Sequence, residues 1–367
     1  MDRIYGISAS RWEIINLAEG GVLRSRCPLH RGCTPHSIEA LLIIVDQASG
    51  PKRGRVVAML FNLLSSTFNS RNKKIFAQSK LAQKAISVTL ALVAAMFSSS
   101  LHSQDQFADV SIETVPVAGN ISMLVGRGGN IGVSSGSDGI LIVDDQYAPL
   151  ADRIRAALES LGSESPKFLL NTHFHGDHTG GNAEFGTESV IVAHENVRLR
   201  LASGNAPAPA LPVVTYDDDI TLHFNGEDIT LIHMPAGHTD TDSVVFFEGS
   251  GVIHMGDHFF NGGFPFVDLA SGGTVQGYLN NLEKVLSWID DETQVIPGHG
   301  PLASKADLLA FYNVVRETSV AVRIKKSQRM SLEEIVAAGL GAEYESWGQG
   351  FINEQRWIET VYTSYPR

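Results

Sequence analysis

Short apolar runs recur along the chain from residue 110 onward, each bounded by glycine or polar residues, and they predict β-strands. They alternate with longer segments in which apolar residues return every three or four positions, as on one face of a helix. The predicted strands are 121–125, 139–143, 168–170, 189–193, 220–224, 229–233, 243–247, 251–255 and 294–296, and the predicted helices are 150–161, 275–288, 302–324 and 350–362. Strands in two groups with helices outside them predict an α/β fold, a four-layer αβ/βα sandwich of two mixed β-sheets flanked by helices.

Two turns follow from the same pattern. The glycine-rich stretch 126–130 comes after a predicted strand, where a phosphate-binding loop would need a helix to begin at once. A second strand-like run follows instead, so we predict a hairpin turn. Asn225 and Gly226 predict another tight turn, between strands 220–224 and 229–233.

The segment 171–182, with the sequence NTHFHGDHTGGN, concentrates the candidate chemistry. It follows the apolar run 168–170, which predicts a loop at the end of a buried strand. Imidazole nitrogens and carboxylate oxygens are ligands of zinc and of similar metals, and we expect Gly176 to let the backbone fold tightly. The spacing favours two metals, because His173 and His175 share one direction while Asp177 and His178 serve a neighbouring position.

The HFHGDH sequence resembles the HxHxDH signature of the metallo-β-lactamase superfamily. Three further segments match that family in order: 235–239 (PAGHT), 255–258 (MGDH) and 296–300 (IPGHG). The resemblance implies one metal held by His173, His175 and His238, a second held by Asp177, His178 and His299, and Asp257 as a bridge between them. It covers roughly residue 110 to the C-terminus.

A dinuclear zinc hydrolase is the function that the resemblance implies, with two Zn²⁺ per chain and with manganese or iron as alternatives. A metal-bound hydroxide would attack an ester, lactone or amide bond of a small-molecule substrate, and Asp177 would act as a catalytic residue that orients the nucleophile. The alternative is a mononuclear iron persulfide dioxygenase, which uses a similar loop. A non-catalytic metal module is disfavoured because a structural site needs no bridging carboxylate.

Two departures argue against strong β-lactamase activity. Asp257 stands where many zinc β-lactamases of the family carry cysteine. No Lys or Arg occurs between Arg200 and Lys284, a region where many β-lactamases place a cation that holds the drug's carboxylate. We therefore expect weak β-lactam hydrolysis at most.

Residues after the third and fourth motifs are candidates for supporting roles. Asp240 and Asp242 either orient ligating imidazoles or are solvated loop acids. His258, Phe260 and Asn261 are candidates for substrate binding, although His258 also fits a packed position. The phenylalanines of 259–266 form either an apolar lip beside the metals or packing beneath the loop.

The N-terminal part of the chain is basic and the rest is acidic. Residues 1–103 carry 13 basic and 5 acidic residues, whereas residues 104–367 carry 15 basic and 35 acidic ones, a formal charge of −20. So acidic a body predicts repulsion of nucleic acid and anionic membranes. The two cysteines, Cys27 and Cys33, both precede residue 104, which excludes a cysteine ligand or nucleophile from the body.

A secretory signal is predicted over 71–103, where five basic residues precede the apolar run 86–97 and small residues follow. That run is too short for a stable membrane anchor, so we expect cleavage near Ser103 and a periplasmic or secreted protein. Residues 1–70 are predicted to be an unstructured preface or a misassigned start, and 104–367 the hydrolase domain.

Overall fold

The computed structural model describes residues 106–366. Thirteen strands are present in this part: β1 Glu113–Ala118, β2 Ile121–Val125, β3 Ile131–Gly136, β4 Gly139–Val143, β5 Phe168–Asn171, β6 Val190–His194, β7 Val214–Tyr216, β8 Asp219–Phe224, β9 Glu227–His233, β10 Ser243–Phe247, β11 Val252–His254, β12 Gln294–Ile296 and β13 Ala303–Ser304. The α-helices are α1 Ala151–Glu159, α2 Gly176–Thr179, α3 Asn182–Phe185, α4 Glu195–Ser203, α5 Val275–Trp288, α6 Lys305–Ser327, α7 Leu332–Ala338 and α8 Glu354–Ser364. Short 3₁₀ helices cover Ala148–Leu150, Ala208–Ala210, Gly256–His258, Leu269–Ser271 and Ala342–Gln349.

Both sheets are mixed. The first has the order β1 to β7, with antiparallel pairs as far as β4 and parallel pairs from β4 to β7. The second has the order β13-β12-β11-β10-β9-β8, and only its β11–β12 pair is parallel. Apolar runs such as that of β4 are buried along almost their whole length, as parallel strands covered on both faces require.

Three groups of buried side chains build four layers. One lies between the sheets, where Leu141 and Val143 of the first sheet pack with Leu231 and Val245 of the second. Another lies between the first sheet and α1, and the third between the second sheet and helices α5, α6 and α8. The order is therefore helix, sheet, sheet, helix, which confirms the predicted αβ/βα sandwich.

Most predicted elements are present with small shifts at their ends. Segment 126–130 joins two antiparallel strands, β2 and β3, as the hairpin prediction requires. Asn225 and Gly226 turn between β8 and β9 with φ of 53° and 82°, values that Asn and Gly tolerate.

The prediction was wrong at some ends and missed short elements. Helix α6 begins at Lys305 rather than at residue 302, because Ser304 and Asp307 form a capping box. Helix α8 begins after Asn353, whose side chain accepts from the Arg356 N–H. Strands β1 and β7 lie at the edges of their sheet with several exposed or half-buried positions, so no continuous apolar run marks them.

The predictions for residues 1–70 and for the signal at 71–103 lie outside the described residues. Within residues 106–366, no helix has both the length and the apolar character needed to cross a bilayer.

Candidate metal centre

The seven predicted ligands come together at the carboxyl ends of four strands. His173 and His175 follow β5, and the one-turn helix α2 carries Asp177 and His178. The other three ligands follow β9, β11 and β12: they are His238, Asp257 and His299. Their donor atoms form two groups, His173, His175, His238 and Asp257 in one and Asp177, His178 and His299 in the other, each within 4.8 Å.

The first group is almost closed to solvent. His238 Nε2 lies 2.9 Å from His175 Nδ1 and 3.4 Å from Asp257 Oδ2. His173 Nε2 lies 3.8 Å from the same carboxylate oxygen. Four donor atoms therefore converge on one point, the arrangement that a tetrahedral metal site needs.

The second group shares Asp257 with the first. Asp257 Oδ1 lies 3.0 Å from His178 Nε2 and 3.3 Å from His299 Nε2, while Oδ2 faces the first group. Asp177 Oδ2 lies 3.4 Å from His299 Nε2. The two oxygens of one carboxylate thus face different groups, as a bridging ligand must.

Unpaired buried atoms show that this site fits a metal. His173 Nε2, His178 Nε2 and Asp257 Oδ1 are buried and have no hydrogen-bond partner. His178 Nε2 and Asp257 Oδ1 are close, but their geometry is not that of a hydrogen bond. Unpaired buried polar atoms cost about 1–3 kcal/mol each. Because all three point into the same space, divalent cations would satisfy them together.

Electrostatics favour positive charge between the groups. Burial alone would raise the pKa of Asp257, but the imidazoles around it, that of His178 first, hold that pKa well below its usual range. Burial opposes protonation of His299, yet Asp257 and Asp177 raise its pKa to about 9. Burial lowers the pKa of His238 to about 4, which keeps that imidazole neutral and able to bind metal.

Comparison with known proteins decides the family. The family model described as the metallo-beta-lactamase superfamily matches residues 115–299, half of the chain. The chain belongs to this superfamily.

Several relatives share part of the chain's sequence or structure. A hydroxyacylglutathione hydrolase from Prochlorococcus marinus (strain MIT 9312) is 31% identical over 149 residues, which cover 40% of this chain and 56% of that protein. The 2,4-dinitroanisole O-demethylase subunit alpha from Nocardioides sp. (strain JS1661) is 25% identical over 197 residues, 52% of this chain and 58% of that protein. The solved metallo-beta-lactamase from Pontibacter korlensis aligns at 16% identity with a TM-score of 0.49, covering 56% of this chain and 99% of that chain. The chain spans about half the length of the curated relatives it matches.

Two aspartates that the sequence analysis did not select orient ligands of this superfamily metal centre. Asp144 Oδ2 accepts from His178 Nδ1 at 2.7 Å and from Thr172 Oγ1 at 2.7 Å, and Thr172 Oγ1 lies 3.0 Å from His173 Nδ1. Asp268 Oδ2 lies 3.2 Å from His175 Nε2. These contacts fix which imidazole nitrogen is free for metal. Asp144 comes directly after the last residue of β4, and this position at a strand end is the feature of the sequence that could have identified it.

Asp240 and Asp242 have other partners. Asp240 accepts from Arg200 Nε at 2.6 Å and from its Nη2 at 2.7 Å. Asp242 is buried and accepts from the N–H and the hydroxyl of Thr239. Neither carboxylate has a hydrogen bond to a ligating imidazole, so the orienting alternative is wrong for both, and the solvated alternative is wrong for the buried Asp242.

The interpretation of Gly176 was also wrong. Its φ is not positive, and a Cβ at this position would meet no atom within 4 Å. Close approach matters instead at Gly129 and Gly298, where a Cβ would overlap the imidazole of His178 and the carboxylate of Asp257 respectively. Glycine at these two positions makes room for the ligands.

A cleft of about 730 Å³ opens above the metal centre. Phe260 and Asn261 line it, whereas His258 is buried outside it, stacked on Tyr278 and hydrogen-bonded to Asn281 at 3.0 Å. Arg127 also lines the cleft, so a cation reaches it from the hairpin turn 126–130 and not from the region between Arg200 and Lys284. The volume is that of a site for a small molecule.

Proposed function

We propose that this chain is an exported dinuclear zinc hydrolase of the metallo-β-lactamase superfamily, acting on an ester, lactone or amide bond of a small molecule. The observation that carries the proposal is the position of Asp257. Each of its oxygens faces a different group of ligands, and one of them has no hydrogen-bond partner. A site for one metal held by the first group would not need Asp177, His178 and His299 as ligands.

His173, His175 and His238 would hold one ion, and Asp177, His178 and His299 the other, with Asp257 between them. Bound divalent ions would polarise the electrophilic carbonyl and lower the pKa of a water molecule. Nitrogen and oxygen ligands without sulfur make zinc the first choice, with manganese or iron as alternatives.

Asp177 is the catalytic residue in this proposal. Its carboxylate lines the cleft with 26% of the side chain exposed, and His299 lies 3.4 Å away. Burial would raise its pKa, but His178 and His299 hold that pKa below its ordinary value, so the group is an anion at neutral pH. A carboxylate in this position accepts a hydrogen bond from the attacking nucleophile and orients it.

The relatives support hydrolysis of an acyl bond. Five of the matching proteins are named hydroxyacylglutathione hydrolase, and each is 27–31% identical to this chain over the aligned part. Weak β-lactam hydrolysis is also part of the proposal, because Arg127 supplies a cation in the cleft.

Turnover by matched double variants of the full-length protein tests the proposal. The purified protein should hydrolyse at least one of a chromogenic β-lactam, a lactone and a carboxylic ester. His173→Ala with Asp257→Ala should abolish turnover and metal retention. The control is His223→Ala with Asp228→Ala, a histidine–aspartate pair on the exposed surface with a contact of 2.6 Å. Turnover in the first double variant would refute the proposal.

Oxygen consumption on a persulfide tests the runner-up. An iron persulfide dioxygenase would contain one iron per chain and consume oxygen, and it would hydrolyse none of the three substrates. That result would refute the hydrolase function and support the dioxygenase function.

A further inference from the structure

Aromatic side chains form one wall of the cleft, and this wall touches both groups of metal ligands. Phe260 stacks on the imidazole of His299, with ring centres 5.1 Å apart and planes inclined by 12°. The ring of Phe266 lies 5.8 Å from that of His175 and 5.6 Å from that of His238. An apolar surface therefore continues from the rim of the cleft to the metal centre.

Phe351 extends this wall outward. It lines the cleft, and its ring meets the ring of Phe266 edge to face at 6.0 Å. The guanidinium of Arg356 lies over both rings, 5.5 Å from the centre of Phe266 and 5.0 Å from that of Phe351. The position of Phe351 is thus held by its neighbours, although 74% of the residue is exposed.

The segment that carries Phe351 is anchored to the loop of the other phenylalanines. The Phe264 N–H donates to the carbonyl oxygen of Trp347 at 3.0 Å, and the ring of Phe264 stacks on that of Trp357. The superfamily match ends at residue 299, so this part of the wall comes from beyond the matched region. A large aromatic side chain fixed at the mouth of a cleft but mostly exposed gains from contact with a ligand.

We infer that the cleft selects substrates with a hydrophobic acyl or aryl group beside the bond that is cleaved, and that Phe351 is a specificity-determining residue. The inference rests on the proposed hydrolase function and adds the class of substrate. An acyl chain with its carbonyl at the metal centre would lie along Phe266 and Phe351. Each methylene buried there would raise kcat/KM by up to roughly fourfold.

Nitrophenyl esters of different chain length test this inference with the full-length, metal-loaded protein. For p-nitrophenyl hexanoate against p-nitrophenyl acetate, we expect a ratio of kcat/KM of at least about tenfold after subtraction of spontaneous hydrolysis. Phe351→Ala should lower that ratio severalfold, mainly through KM, and Phe351→Leu should restore most of it. Leu309→Ala is the matched control, since Leu309 is an exposed apolar residue of α6 that does not line the cleft, and it should keep the wild-type ratio.

Binding of hydroxamates separates failure of the inference from failure of the function. Octanohydroxamate should bind the metal-loaded protein at least about tenfold more tightly than acetohydroxamate, and Phe351→Ala should reduce that preference. Turnover without dependence on chain length, or a ratio unchanged in Phe351→Ala, would overturn the inference and leave the hydrolase. Absence of turnover on every ester, lactone and β-lactam would overturn the proposed hydrolase function. Equal binding of the two hydroxamates would then also overturn the inference that the aromatic wall binds apolar groups.

Discussion

The two groups of metal ligands differ in their access to solvent. In the first group His173, His238 and Asp257 are at most 5% exposed, and His175, which lines the cleft with Asp257, is 18% exposed. In the second group His299 and Asp177 are 30% and 26% exposed. The first position is mostly enclosed by protein, and the second is more open toward the cleft.

This difference in solvent access also affects the pKa values of the imidazoles. Burial dominates for His238 and lowers its pKa to about 4, whereas carboxylates dominate for His299 and raise its pKa to about 9. Burial thus prepares neutral ligands at the first position, and acidic groups attract the cation at the second. We expect the first ion to be held more tightly and the second to exchange more readily.

Asp257→Ala should have the largest effect, because it removes the residue common to both groups. Activity should fall by roughly a thousandfold or more, since a metal pair contributes several kcal/mol of transition-state stabilisation. Metal analysis and initial rates would check this. Two retained ions in the variant would show that Asp257 does not bridge.

Single-ligand variants should separate the two positions. His299→Ala should leave one tightly held ion per chain, whereas His238→Ala should weaken binding at the enclosed position. In the wild-type protein a chelator should remove metal in two phases, the first from the exposed group. A colorimetric metal indicator would record the release. Release in a single phase from the wild type would contradict the difference in solvent access between the two groups.

The orienting aspartates should have smaller and separable effects. Asp268→Asn should weaken metal binding at the first group by roughly 10–100-fold, because the Asp268 carboxylate orients the imidazole of His175, a ligand of that group. Asp144→Asn should affect both groups, since Asp144 contacts His178 directly and reaches His173 through Thr172. Metal titration by calorimetry would measure both, with Asp240→Asn as the control.

The smallest effect concerns an imidazole outside the metal centre. Burial and the neighbouring His194, stacked at 3.7 Å, lower the pKa of His233 to about 4. The folded state therefore favours neutral His233, so its contribution to stability is complete above pH 6.5 and is lost as the pH falls toward 4. NMR titration should give the same pKa with and without metal. A pKa of His233 that changed when metal was added would mean that burial and His194 do not explain the low pKa.

The sequence predicted which histidines and aspartates come together at the strand ends better than it predicted the residues that orient them. The HxHxDH motif and the three later histidine and aspartate segments mark strand ends, and strand ends of neighbouring strands meet in space. Asp144 and Asp268 carry no motif, and their role depends on which imidazole nitrogen faces them. That is a property of the folded loops and not of the spacing.

The aromatic wall shows a similar limit. The phenylalanines of 259–266 follow a metal ligand, and the sequence left open whether they form an apolar lip or packing beneath the loop; Phe260 and Phe266 line the cleft, whereas Phe259 is buried. Phe351 is some 90 residues away, and only the packing of Trp347 and Arg356 against that loop brings it to the cleft. His258 differs from Phe260 and Asn261 because Tyr278 and Asn281 hold it away from the cleft.

The number of metal ions per chain tests the central claim most directly. Elemental analysis of the purified full-length protein should find two zinc ions per chain in the wild type and in the control His223→Ala with Asp228→Ala. The double variant His173→Ala with Asp257→Ala should contain close to none. One iron per chain in the wild type, or an unchanged content in the ligand variant, would contradict a dinuclear centre bridged by Asp257.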